Sequence, residues 1–95
     1  MPAYVIVNID IFDTVRYEDY KERADRTVQT YGGRYLVRGG RVEALEGDWE
    51  PRRVVVVEFP TAAQARAWWD SHEYAHLKTM RQAISHTDML IVEGV

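Results

Sequence analysis

Four consecutive valines, Val54 to Val57, lie within the stretch Arg52 to Phe59. β-Branched side chains lose rotamer freedom in a helix and pack well on a pleated surface, so the run predicts a strand. Pro60 ends it by withholding an amide hydrogen. Successive side chains of a strand point to opposite faces, so this strand is apolar on both and both need cover. Ala3 to Ile11 has the same character, with Val5, Val7, Ile9 and Ile11 on one face and Tyr4, Ile6, Asn8 and Asp10 on the other. Thr87 to Val95 repeats it, with Leu90 and Val92 against Met89 and Ile91.

Between these strands the apolar spacing changes to three and four. Tyr17, Tyr20, Ala24, Val28 and Tyr31 form one helical stripe, opened by Asp13 or Thr14 as cap and closed by Gly32-Gly33. Acid-first pairs such as Asp19 with Arg23 support a solvated outer face. A short strand, Arg34 to Arg38, follows, with Gly39-Gly40 permitting a bulge or turn before an extension from Arg41 to Leu45. Thr61 to Gln64 matches a capping box for an Ala-rich helix through Trp68 and Trp69, and Ser71 recaps a continuation from His72 to Ile84. Strand, helix, strand, strand, helix, strand is the ferredoxin-like α+β order, here one domain over residues 1–95 with a four-stranded antiparallel sheet and two helices on one face. The helices cover one face only. The economical cover for the other is a second copy, giving a homodimer through the sheet face, since monomers rarely expose large apolar patches.

Composition narrows the chemistry. With no Cys, the chain has no disulfides, no Cys-ligated cluster and no cysteine nucleophile, which suits a cytoplasmic location. A net charge of −3, with basic residues scattered among acids, predicts no nucleic-acid partner. No apolar run approaches a membrane span, and the opening lacks the basic region of a signal segment, so no membrane partner is expected. Dinucleotide, phosphate-loop and serine-elbow motifs are missing.

His72-Glu73-Tyr74-Ala75-His76 matches a zinc-binding H-E-x-x-H pattern, but Gln82 stands where a third histidine would be and His72 falls in the first helical turn. The residues are read as solvated histidines, with no metal and no cofactor; haem finds no well-placed axial ligand among His72, His76 and His86. Glu58 shares a face with Val54 and Val56, and a carboxylate there must find a cation or resist ionisation, the condition that makes a general base. The alternative is a structural ion pair with Arg38, Arg53 or Arg81. Arg38 with Gly39 offers a guanidinium fork and a close backbone approach for a carboxylate, or a plain bulge beside an exposed arginine. Asn8, Tyr20, Trp69, Tyr74 and Arg81 complete a stripe that either packs as core or lines a pocket for a small, flat acid or lactone. In the catalytic reading Glu58 is the base, His72 or a tyrosine assists, and Arg38 or Arg81 holds the ligand. The runner-up is a non-catalytic binding or assembly module.

The blocks YGGRYLVRGG (Tyr31 to Gly40), EGDWEPRRVVVVEFP (Glu46 to Pro60) and WWDSHEY (Trp68 to Tyr74), with Arg81, resemble the domain of unknown function 1330 family. The resemblance spans nearly the whole chain and implies the dimeric α/β-barrel superfamily. That superfamily includes aromatic-lactone isomerases, cofactor-free monooxygenases and haem enzymes, so the resemblance implies a fold and leaves the reaction open. It places His72 and His76 in a Ser-x-Glu-Tyr block to which the two histidines do not belong.

Overall fold

In the computed structural model, which describes all of residues 1–95, the valine run forms an inner strand of a four-stranded antiparallel sheet. The elements are β1 (Ala3–Ile11), α1 (Thr14–Thr30), β2 (Arg34–Arg38), β3 (Arg53–Phe59), α2 (Ala62–Trp69), α3 (His72–Ile84) and β4 (Ser85–Glu93). The strand order β2-β3-β1-β4 is that of the expected ferredoxin-like fold. Val5 stands opposite Val57 on one side and Ile91 on the other, and Val7 opposite Val55 and Met89. These residues face the helices and meet Tyr17, Tyr20, Val28, Trp68, Tyr74 and Leu77 in one core.

Helix boundaries follow the capping chemistry. Asp13 accepts the Arg16 amide at 3.0 Å, and α1 stops before Gly32, whose φ of +81° is costly for any residue with a Cβ. Ser71 accepts the Tyr74 amide at 3.1 Å and divides the second helical stretch into α2 and α3. Thr61 likewise accepts the Gln64 amide at 3.1 Å, but the Gln64 side chain donates to the Tyr31 carbonyl at 3.3 Å and does not close the expected capping box.

Two expectations about the β2 region are corrected. Arg41 to Leu45 form no strand, because β2 is an edge and its extension has no strand to pair with; Gly39–Arg52 is an irregular connection exposing Val42, Leu45 and Trp49. The bulge lies at Leu36, not at Gly39-Gly40: Tyr35 pairs with Val57 but Val37 with Val56, so one residue is extra. As a result Tyr35 and Arg38 both face the helices, while Arg34 and Val37 turn away.

The opposite sheet face carries Tyr4, Ile6, Val37, Val54, Val56, Leu90 and Val92, and no element of this chain covers it. Leu90 is 55% and Val92 43% exposed. No helix is long and apolar enough to cross a membrane.

Candidate functional site

Arg38 pairs with Val55, Val55 with Val7, and Val7 with Met89, so one row crosses the whole sheet beneath the helices. Three strand spacings make it about 14 Å long. Over this row lies a chamber of about 40 Å³ lined by Tyr17, Tyr20, Tyr35, Trp68, Arg38 and Arg81, among others. Arg81 also borders an open cleft of about 330 Å³ with Trp69, Gln82, Ser85, Thr87 and Met89. It thus stands between a small inner space and a larger outer one.

Arg81 is 3% exposed and takes part in none of the ion pairs of the structure. Its Nε donates to the Tyr74 hydroxyl at 3.4 Å, and that hydroxyl shares a hydrogen bond of 2.6 Å with the hydroxyl of Tyr20. Burial opposes the charge of Arg81, but the two phenols beside it outweigh that and hold its pKa above the ordinary value. Burial, with the neighbouring Tyr74, pushes the Tyr20 phenol well above its ordinary value. The three groups make a buried, positively charged chain of hydrogen-bond donors.

Arg38 differs, for its charge is matched. Its guanidinium reaches both oxygens of Asp25, at 3.1 and 2.5 Å, and stacks over the Tyr35 ring at 4.1 Å. Tyr35, mostly buried and facing Asp25, titrates above its ordinary range chiefly because of burial. Arg53 occupies the same corner, over the Tyr17 ring, with its Nε buried and without a partner. Its guanidinium fills the space where a side chain at position 39 would lie. Gly39 has φ +70°, which favours glycine, and a side chain there would meet the Arg53 guanidinium.

The remaining expected residues scatter. Tyr20, Tyr74, Arg38 and Arg81 converge beneath the helices, and Trp69 is half-buried at the wall of the outer cleft. Glu58 does not join them: alternation that turns Val57 and Phe59 inward turns Glu58 outward, where it accepts from Arg34 Nε at 2.8 Å. The expected meeting of Glu58 with Arg81 is thereby corrected, since the sheet lies between them. Asn8 also points to the open face, and its Oδ1 accepts the Arg52 amide at 2.9 Å. His72 is exposed at the first position of α3, as is His76 one turn on, and no cluster of three His, Asp or Glu side chains could hold a metal ion.

Sequence reasoning missed Asp25, Arg53, Tyr35 and Trp68 as neighbours of the site. Trp68, 4% exposed with its indole N–H on Thr27 Oγ1 at 3.0 Å, is the inward tryptophan; it follows buried Ala65 by three residues and Trp69 follows Ala65 by four, both same-face spacings, so the sequence does not choose between them. The positions of Tyr35 and Arg38 depend on the bulge, which has no clear mark in the sequence.

A family profile described as a domain of unknown function (DUF1330) matches residues 2–95, and the chain belongs to that family. Among solved structures it is similar to a protein of unknown function from Rhodopseudomonas palustris, at 16% identity and a TM-score of 0.80, covering 99% of this chain and 82% of that one. A dimeric ferredoxin-like protein of unknown function from Jannaschia sp. follows at 13% identity and a TM-score of 0.73, covering 99% and 100%. SnoaB, a cofactor-independent oxygenase from Streptomyces nogalater, matches at 10% identity and a TM-score of 0.72, covering 99% and 93%. At such identities the likeness establishes the fold alone. No curated protein matches the chain at a significant level.

Proposed function

We propose that this DUF1330 protein is a homodimer that binds a small organic acid or lactone beneath its helices and moves a proton on it without a cofactor, in an isomerase-like or monooxygenase-like role. One observation carries the reading: Arg81 is a buried cation with no carboxylate partner. Buried charges are otherwise paired, so a guanidinium that faces two phenols and no carboxylate is suited to an anion brought by a ligand. The 40 Å³ chamber has room for about one water, whereas the 330 Å³ cleft has the size of a small-molecule site. The ligand body therefore belongs in the cleft, with its acidic or carbonyl oxygen turned to Arg81. The Tyr74 and Tyr20 hydroxyls, hydrogen-bonded behind Arg81, are the groups proposed to give a proton to that oxygen and take it back. The dimer is supported by the uncovered apolar face and by the description of the Jannaschia relative. Cofactor-free chemistry is supported by the description of SnoaB.

A second reading, a non-catalytic binding module, is favoured by a separate observation: no carboxylate lines either space, and Glu58 faces the other way. One experiment separates the two. Trp68 and Trp69 report binding by fluorescence, so a panel of small aromatic carboxylates and lactones is titrated, and exchange of ligand C–H for deuterium is followed by NMR. Binding that falls at least tenfold in Arg81→Met, with exchange that vanishes in Tyr74→Phe, supports the catalytic role. Binding without exchange leaves the binding module. Binding untouched by Arg81→Met overturns both.

A further inference from the structure

The Gly39–Arg52 connection exposes large apolar side chains that its own chain never covers. Leu45 is 93% and Trp49 65% exposed, with Val42 close to half. The same segment carries Glu43, Glu46, Asp48 and Glu50 against Arg41 and Arg52. At the other edge of the sheet, a groove of about 390 Å³ runs along β4 and α2, lined by Trp68, Trp69, Met89, Leu90, Ile91 and Arg66, among others. Lys78 stands at its margin, over the Trp69 ring at 4.2 Å. Arg66 is already held by Asp70 at 3.0 Å, so Lys78 is the basic group left at the margin; an acidic segment with exposed apolar side chains suits this apolar groove and its lysine.

The two cannot meet neatly within one chain. The connection leaves the sheet at β2 and the groove lies at β4, about 14 Å away across three strand spacings. To reach it, the connection would have to cross the sheet face or climb over the helices. A second copy removes the difficulty. When two sheets pack face to face about a two-fold axis parallel to their strands, the β2 edge of one lies over the β4 edge of the other. Leu90 belongs both to the groove and to the open apolar face, so the two contacts would be continuous.

We propose that, in the homodimer on which this inference rests, the Gly39–Arg52 connection of each chain packs into the β4–α2 groove of its partner, seating Trp49 and Leu45. Trp69 and Met89 line both the groove and the ligand cleft. The partner connection therefore walls the cleft from outside, and each site is completed by the second chain.

The chain has no cysteine, which makes cross-linking selective. Chains carrying Trp49→Cys are mixed with chains carrying Leu90→Cys, the two labelled with different nitrogen isotopes, and oxidised at micromolar concentration. The expected product is a covalent dimer with one chain of each kind, outnumbering either self-linked product. The double variant should give a dimer with two bonds. A monomer closed on itself, or a dimer linked mainly Trp49→Cys to Trp49→Cys, overturns the placement. Sedimentation before oxidation separates this failure from that of the dimer: a folded monomer removes both, whereas a dimer without the mixed link removes only the docking. In the unmodified background Trp49→Ala should raise the dimer Kd at least tenfold and leave the helical signal unchanged; an unchanged dimer Kd also overturns the docking.

Discussion

Replacing Arg81 with Met should abolish ligand binding while changing the stability of the free protein by less than about 2 kcal/mol. The guanidinium is 3% exposed, and its Nε contact with Tyr74 spans 3.4 Å. Removing a cation from water costs several kcal/mol even after the protein relaxes. A hydrogen bond to a charged group returns about 1.5–3 kcal/mol at good geometry, and less at the long distance found here. Met keeps most of the apolar stem, so little packing is lost. Tyr74 retains its 2.6 Å bond to Tyr20 and is not stranded. Burial and the phenol contacts oppose one another and leave the difference small, and each kcal/mol should move the melting temperature by about 4–8 °C for a domain of this size. Urea unfolding at one fixed protein concentration measures the difference without interference from dimer mass action. A loss of more than about 2 kcal/mol at unchanged m-value would refute the reasoning, because it would make Arg81 a structural group already satisfied by its phenols.

Other outcomes follow from the same geometry. Gly39→Ala should cost about 1–3 kcal/mol in urea unfolding, since it places a Cβ at positive φ against the Arg53 guanidinium; a neutral result would show that Arg53 is not seated there. The Tyr20 phenol is raised in the folded protein, so its contribution is fully present below the unfolded value near 10 and is lost as pH rises toward the folded value; alkaline unfolding should begin above about pH 10 and flatten in Tyr20→Phe. Ile6→Asp puts an unpaired charge on the open face and should dissociate or unfold the dimer at a cost of several kcal/mol, read by sedimentation. Glu58→Gln should cost less than about 1 kcal/mol, since Arg34 is largely exposed, and should leave ligand titrations unchanged.

Much of the fold was legible because it rests on local rules. Strand alternation, the caps at Asp13, Thr61 and Ser71, and the two-faced strands each have a short-range signature that tertiary packing did not override. The site was legible in its members on helices. Tyr20, Tyr74 and Arg81 fall at helical spacings that point inward, and they meet. It was illegible where sheet faces had to be assigned to a site. Glu58 shares its face with Val54 and Val56, as alternation required, but that face is the one without helices, so a base placed there cannot reach Arg81. Arg41 to Leu45 showed why local pattern alone does not make a strand: no neighbouring strand offers hydrogen bonds at that edge. Trp68 and Trp69, adjacent in sequence, differ in burial, and spacings of three and four from Ala65 do not distinguish them.

The extra residue at Leu36 sets the phase of everything after it in β2. With it, Tyr35 and Arg38 look the same way although three positions separate them; in a regular strand an odd separation would send them to opposite sides. If the same letters paired regularly, with Leu36 drawn into the ladder, Arg38 would turn toward the open sheet face, stranding Asp25 on α1 and placing a cation where a second copy would pack, whereas losing Leu36 together with the bulge would leave Arg38 facing the helices. Among related chains, the keeping or closing of this bulge would thus outweigh many substitutions. It would decide whether the same arginine serves the corner beside the ligand chamber or obstructs the joining of two sheets.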